Sequence, residues 1–490
     1  MSSLSLAMML AVAPASASAA AAPAPSKETA PAPPAARARA AKPVAGPKPT
    51  AAEAKSPAPG EVVTLSGSIP GLGVTMSLKH FVLANGLRVY VLEDHSTPSF
   101  ALQIAYDVGS RDEVSGRTGF AHFFEHMMFK GSQNVPDGGH FKHVLGVGGQ
   151  MNAFTSNDVT VYFDVLPSQY LDMGLWLESD RLRSLAITDE NFENQRSAVK
   201  EEKAMRVDNV PYAKAMQEFF AQAWANSGYG HITIGSEADL SAATTADVKA
   251  FFDKYYVPNN AVMVLVGDVE LNEAKTKIEK YFGDIPRGTD REAFAPVDHA
   301  QTKLTKRVVD KLAQQPLYVL GWKTVPENHP DRHAVELMMS ILLEGDSSRI
   351  TKILVDEKKL AVAAVPLPSG SAGGHAAGSA FAAFVPVTGV GLDKIEPVVR
   401  AEVENLKKKG VSANDLKKAI NAKTVGTVEQ LATNTGRAIL VGMGATLDRD
   451  PLYVLSDLER FRKVKPADIK RVANTYLTDN WMVIEIVPPQ

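Results

Sequence analysis

His122, Glu125 and His126 stand within five residues of one another in the stretch Phe120 to Gly131, FAHFFEHMMFKG, and they are residue types that hold and use a metal ion. On a helix turning about 100° per residue they share one sector about 100° wide, while Phe120, Phe123, Phe124, Met127 and Met128 cover the rest. Such a helix buries its apolar sides and turns the polar wedge towards something other than core. Imidazoles at i and i+4 bring two nitrogens to one metal at about 2.0–2.1 Å, and a carboxylate one residue before the second His reaches a water on that metal. The chemistry implied is that of a zinc hydrolase. The competing reading is an amphipathic helix whose His and Glu side chains are merely solvated.

A zinc site needs a third protein ligand, and Glu202 is the candidate. It lies in FENQRSAVKEEKAMRVDN, which the sequence predicts to be helical: Thr188 suits the N-cap, and Asp189 and Glu190 suit the positive end that follows. Glu201 competes for the role, but it points about 100° away from Glu202, so the two cannot face one metal equally well. Gln195 shares a face with Glu202.

Five blocks in order, NGLRVYVLEDHSTPSFALQIAYDVGSRDE, TGFAHFFEHMMFKGS, GGQMNAFTSNDVTVYF, NQRSAVKEE and YYVPNNAVMVLVGD, resemble the M16 metallopeptidases. These are the pitrilysin- or insulysin-like family, with an inverted H-x-x-E-H motif. The likeness is to two-domain bacterial members and the zinc-binding subunit of mitochondrial processing peptidase, and it covers most of residues 76–270. It implies Zn²⁺ on His122, His126 and Glu202, with Glu125 as general base activating a zinc-bound water. It also implies that Asn152, Ala153 and Phe154 line a sheet edge to which an extended peptide substrate adds as a strand. Where many members carry a Glu one face-turn before the zinc Glu, this chain has Gln195. Where many carry a substrate-binding Arg and Tyr after a block like Ser347-Ser348-Arg349, it has Val355 and Val362. The resemblance therefore implies a homologous partner subunit that supplies the Arg and Tyr. The alternative is a non-catalytic structural or interaction subunit derived from a peptidase.

A chain of 490 residues suits more than one domain, and 45% hydrophobic with 22% charged residues is a globular composition. A net charge of −3 gives no reason to expect nucleic acid as a partner, and the absence of cysteine excludes disulfides and thiolate zinc sites. Residues 1–19 read as a signal peptide: Leu4 to Ala13 is apolar and Ala17-Ser18-Ala19 is a small-residue cleavage pattern. Export to a bacterial periplasm is the expectation, with mitochondrial import the rival. Residues 20–60 read as an Ala/Pro-rich disordered linker. No later stretch is long and apolar enough for a transmembrane helix.

Alternation in FVLANGLRVYVLED about Asn85-Gly86 predicts a hairpin, and Leu102 to Val108 a strand leading to the zinc helix. Leu171 to Leu185 predicts an amphipathic helix whose Glu178, Asp180, Arg181 and Arg183 form a solvated or paired face. The pattern from Ala246-Asp247-Val248-Lys249 through Tyr255 and Asn259 to Val262-Met263-Val264 recurs as Ala467-Asp468-Ile469-Lys470, Tyr476, Asn480 and Val483-Ile484. The expected fold is thus α+β, two homologous domains, each an antiparallel or mixed sheet with helices packed on one face. A catalytic zinc-binding domain would span residues 61–290 and a second, non-metal domain residues 300–490, joined near Pro286 to Gln301. His333 and Glu336 repeat part of the motif, but Leu337 replaces the second His. His375 lies in a Gly/Ala-rich loop and is read as no ligand.

Overall fold

The computed structural model describes residues 57–225, 227–292, 303–327, 329–367, 378–448 and 450–490. The expected signal peptide, nearly all of the expected linker, residues 293–301 of the expected join and His375 lie outside the described residues.

The first sheet contains β1 (Val63–Ile69), β2 (Val74–Val82), β3 (Arg88–Glu93), β4 (Ser99–Tyr106), β5 (Gln150–Thr155), β6 (Thr160–Pro167) and β7 (Ala261–Gly267), in spatial order β1-β2-β3-β7-β4-β6-β5. The predicted hairpin is β2–β3, which turns through Asn85-Gly86. β7, AVMVLVG, is buried along its whole length, as its unbroken apolar run requires of a central strand with both faces covered. β5 is the outermost strand, paired only with β6 among the described residues.

The second sheet contains β8 (Leu304–Val309), β9 (Leu317–Lys323), β10 (Ala361–Pro366), β11 (Ser379–Pro386) and β12 (Met482–Val487), in spatial order β10-β11-β9-β12-β8. Read from β8, it retraces β3-β7-β4-β6-β5. Even the parallel contact recurs, β3 with β7 and β8 with β12, while the other pairs are antiparallel. The internal repeat found in the sequence is therefore a repeat of topology.

The helices of the first half are α1 (Phe120–Met127), α2 (Gly139–Gly146), α3 (Leu171–Ser184), α4 (Asp189–Lys203), α5 (Ala213–Ala223), α6 (Thr245–Tyr255) and α7 (Leu271–Phe282), besides a short turn of helix at Glu237–Ala242. The second half has α8 (Arg332–Leu343), α9 (Leu392–Lys409), α10 (Ala413–Leu431), α11 (Asn434–Met443), α12 (Tyr453–Lys463) and α13 (Pro466–Tyr476). α6 with β7 and α13 with β12 are the repeated segments.

Each half packs its own helices on one sheet face. Phe100, Leu102, Ile104 and Tyr106 of β4 meet Phe124, Met127, Leu175, Val199 and Val248 in the main core. The opposite faces are covered by exchange. Tyr90, Leu92, Val262, Val264 and Val266 pack against Leu431, Ala438, Val441, Leu455 and Leu458 of α10, α11 and α12. In return, Ala215 and Phe219 of α5, with Trp224, pack on Val319, Phe381, Ala383 and Ile484 of the second sheet. Gly442 permits the close approach of α11 to β4, since a Cβ there would lie 2.2 Å from Gln103 Nε2.

The charged face of α3 is paired rather than solvated. Glu178, Asp180 and Arg181 are buried and only Arg183 is exposed. Arg181 binds the Glu178 carboxylate and lies over the Tyr162 ring, 4.6 Å from its centre, while the Tyr162 hydroxyl donates to the Phe124 carbonyl of α1 at 3.1 Å. Asp180 accepts from the Ser132 hydroxyl and the Asn134 side chain beyond the end of α1. Arg181→Met would leave Glu178 buried without its counter-charge, at a cost of about 3–5 kcal/mol. Urea unfolding checks this, and an unchanged midpoint would show that the pair contributes nothing net.

Candidate metal centre

α1 follows β4 across the short segment 107–119 and begins at Gly119, whose φ of 93° is left-handed and favours glycine. Its apolar residues Phe120, Phe123, Phe124 and Met127 are buried, as the predicted wedge requires. α4 packs beside it. Thr188 caps α4 as predicted, its hydroxyl accepting from the Asn191 N–H at 3.1 Å.

The two helices bring His122, His126 and Glu202 together, with one ligand atom from each within 4.8 Å of the others. Glu202 Oε2 lies 3.1 Å from His126 Nε2 and 3.6 Å from His122 Nε2. The imidazole centres are 4.8 Å apart and the rings are inclined at 64°. His122, Glu125 and Glu202 are buried, whereas Glu201 is exposed and points away. Two imidazole nitrogens and one carboxylate oxygen, converging from rigid helices, fit a zinc ion that keeps its fourth position open.

The electrostatics suit that donor set. Burial, aided by the neighbouring His126 ring, lowers the His122 imidazole to about 3, so its lone pair is available. Burial pushes Glu202 up, but the hydrogen bond to His126 and the neighbouring positive groups outweigh it and hold the carboxyl below its usual range. Burial raises Glu125, against the opposing pull of Thr155 and His126. Arg206 Nε binds the other Glu202 oxygen at 3.0 Å from one turn further on, where residues Ala204–Asp208 widen into a π-helical turn. Neither Arg206 nor Thr155 was singled out from the sequence. The i, i+4 spacing to Glu202 was the visible signal for Arg206.

β5 runs beside α1, with Ala153 buried in the core they share and the Thr155 side chain close to Glu125. The Asn152 Oδ1 accepts from the Ala153 N–H at 2.9 Å, and Phe154 packs against the cluster of Ala105, Val159, Val161 and Leu447. Gln195 is buried on α4 and donates to Asn194 at 2.7 Å.

The second half forms no matching centre among the described residues. On α8, the structural counterpart of α1, His333 faces Asp457 at 2.5 Å and Glu336 binds Arg332 at 2.6 Å. Val355 packs partly into the second core, and Val362 is 59% exposed on β10, the counterpart of β5.

A mixed sheet with an inverted His-x-x-Glu-His helix and a distant Glu defines a class of metallopeptidase, and the comparisons agree. Residues 88–237 match the family model Insulinase (Peptidase family M16), and residues 242–423 match Peptidase M16 inactive domain. The zinc protease PqqE of Helicobacter pylori is 29% identical over 441 residues, spanning 87% of this chain and 96% of that protein. The crystal structure of a protease from Helicobacter pylori superposes with a TM-score of 0.78 at 28% identity, covering 84% of this chain and 100% of that one. The periplasmic protease PqqL from Escherichia coli shares the fold, with a TM-score of 0.68 at 19% identity; the match covers 86% of this chain and 48% of PqqL. The chain belongs to the M16 peptidase family, whose relatives include named zinc proteases. Among the described residues, no helix is long and apolar enough to cross a membrane.

The donor set predicts one tight zinc site per chain. Glu202→Gln should weaken zinc binding by at least about tenfold, as loss of a charged ligand exceeds the usual cost of changing an outer-shell partner, whereas Glu201→Gln should leave it unchanged. Competition with a chromophoric chelator measures both, and the reverse ranking would transfer the ligand role to Glu201.

Proposed function

We propose that this chain is a zinc endopeptidase that hydrolyses unfolded peptides or extended polypeptide segments, with His122, His126 and Glu202 as ligands and Glu125 as general base. The observation carrying this conclusion is the convergence of those groups in one buried site while Glu201 turns to solvent. Bound zinc would polarise a peptide carbonyl and lower the pKa of a water towards about 7. Glu125, its carboxyl raised by burial, is suited to take that water's proton and pass it to the leaving amine. Arg206 holds the Glu202 carboxylate in orientation, and burial keeps His122 neutral. The edge of β5 at Asn152, Ala153 and Phe154, unpaired among the described residues, would take an extended segment as an added strand, which delivers its backbone alongside α1.

The valines at positions 355 and 362 offer no hydrogen bond to a substrate, which supports a homologous partner subunit carrying the Arg and Tyr. The match to about half of PqqL supports the same arrangement. The apolar run before Ala17-Ser18-Ala19, together with the periplasmic relative, supports a signal peptide at residues 1–19 and a bacterial periplasmic site of action. The catalytic domain is taken as residues 61–290 and the non-metal domain as residues 300–490.

Glu125→Gln should retain zinc while hydrolysis falls about 10²–10⁴-fold. Unchanged turnover would remove Glu125 from the role of base. A library of unfolded peptides, offered to the mature chain alone and with a homologous subunit, should be cleaved only with the partner present. Cleavage by the chain alone that chelation abolishes would dispense with the partner, and zinc bound without cleavage in either condition would favour a non-catalytic subunit.

A further inference from the structure

We infer that Glu113 is the positioning residue of α1: it caps the helix from outside and so fixes where His122 and His126 stand. The inference rests on the zinc-site assignment above. A helix start leaves N–H groups without intrahelical partners, and the N-cap side chain normally accepts from one of them. Here the N-cap is Gly119, which has no side chain to offer. Nor is there room for one, because a Cβ on Gly119 would lie 2.6 Å from the Ile234 carbonyl oxygen, and one on Gly235 would lie 2.4 Å from that of Thr118. Thr118 is already committed, its N–H and hydroxyl both donating to Asp239.

The missing acceptor comes from Glu113, whose side chain is fully buried. The Gly119 N–H donates to Oε2 at 2.7 Å and the Ala121 N–H donates to Oε1 at 2.8 Å, one hydrogen bond to each oxygen. Ala121 directly precedes His122, so the carboxyl grips the turn of helix that carries the first ligand. His231 Nδ1 stands 3.5 Å from Glu113 Oε2, and the residues just before Glu113 are pinned by a buried charge network. Arg111 binds Asp107 at 2.9 Å and also Asp158, which accepts from the Tyr229 hydroxyl at 2.5 Å. Arg291 binds Asp107 at 2.6 Å and also Asp112, the residue next to Glu113. A cap anchored this firmly restrains a sliding of α1 along its axis, a motion that would carry both imidazoles away from Glu202 together. Metal sites tolerate such displacement only to about 0.5 Å.

Glu113→Gln keeps the size and one acceptor oxygen but turns an amide N–H₂ towards one of the two backbone donors. We expect the folded variant, judged by unchanged far-ultraviolet circular dichroism, to lose about 10–100-fold in zinc affinity, the range for partners that orient ligands. The visible absorption bands of its cobalt form should shift, and kcat should fall while KM holds. A folded Glu113→Gln protein with wild-type zinc affinity and wild-type cobalt bands overturns the inference. Should that variant not fold, Glu113→Asp, which withdraws the carboxylate by one methylene, is expected to shift the same bands, and unshifted bands again overturn it. The metal readouts need no turnover. A wild-type protein that binds cobalt but cleaves nothing even with the homologous subunit present would therefore sink the peptidase assignment, while the bands of the variant still decide the role of Glu113.

Discussion

Two imidazoles and two carboxyl groups pressed together within the helix layer are the most demanding feature of this molecule. Each ionisable group taken from water costs several kcal/mol unless it finds partners. Glu202 finds them in His126 and Arg206, and Glu125 has Thr155 and His126 beside it. His122 Nδ1 is buried with no hydrogen-bond partner among the described residues, so its ring is held by packing. The cluster persists because α1 is fixed on every side: Tyr162 at the Phe124 carbonyl, Arg181 behind Tyr162, α4 alongside, and the turn of residues 232–235 over its start.

Much of this was legible in the chain. The wedge of His122, Glu125 and His126 among phenylalanines and methionines, the cap at Thr188, the hairpin turn at Asn85-Gly86 and the repeated segment ending in β7 and β12 all rest on local periodicity, and all appear as read. The burial of Glu178, Asp180 and Arg181 was not legible, since acids and bases at helical spacing look alike whether they face water or one another. Glu113 escaped notice because a cap normally adjoins its helix, and here it stands six positions before the N–H group it binds first. Amphipathic α5 and α11 announce an apolar face without saying which sheet it covers.

The two halves share a skeleton but not a chemistry. At the place where α1 offers donors to a metal, α8 turns His333 to Asp457 and Arg332 to Glu327, Glu336 and Asp457. That corner of the second half is closed by ion pairs among its own side chains. The same fold position thus gathers candidate metal ligands in one copy and ion pairs in the other, decided by a handful of side chains on one helix.

The exchange of helices across the two sheets gives the molecule the character of a dimer whose subunits happen to share one polypeptide. Neither half possesses a complete interior: without α11 and α12, Tyr90, Leu92, Val262, Val264 and Val266 would form a bare apolar sheet, and without α5, so would Val319, Phe381 and Ile484. A proteolytic nick between the halves would accordingly leave a bound pair rather than two free domains. A gene fragment encoding one half alone would yield a sticky, aggregation-prone product, even though every candidate ligand of the metal centre lies within the first.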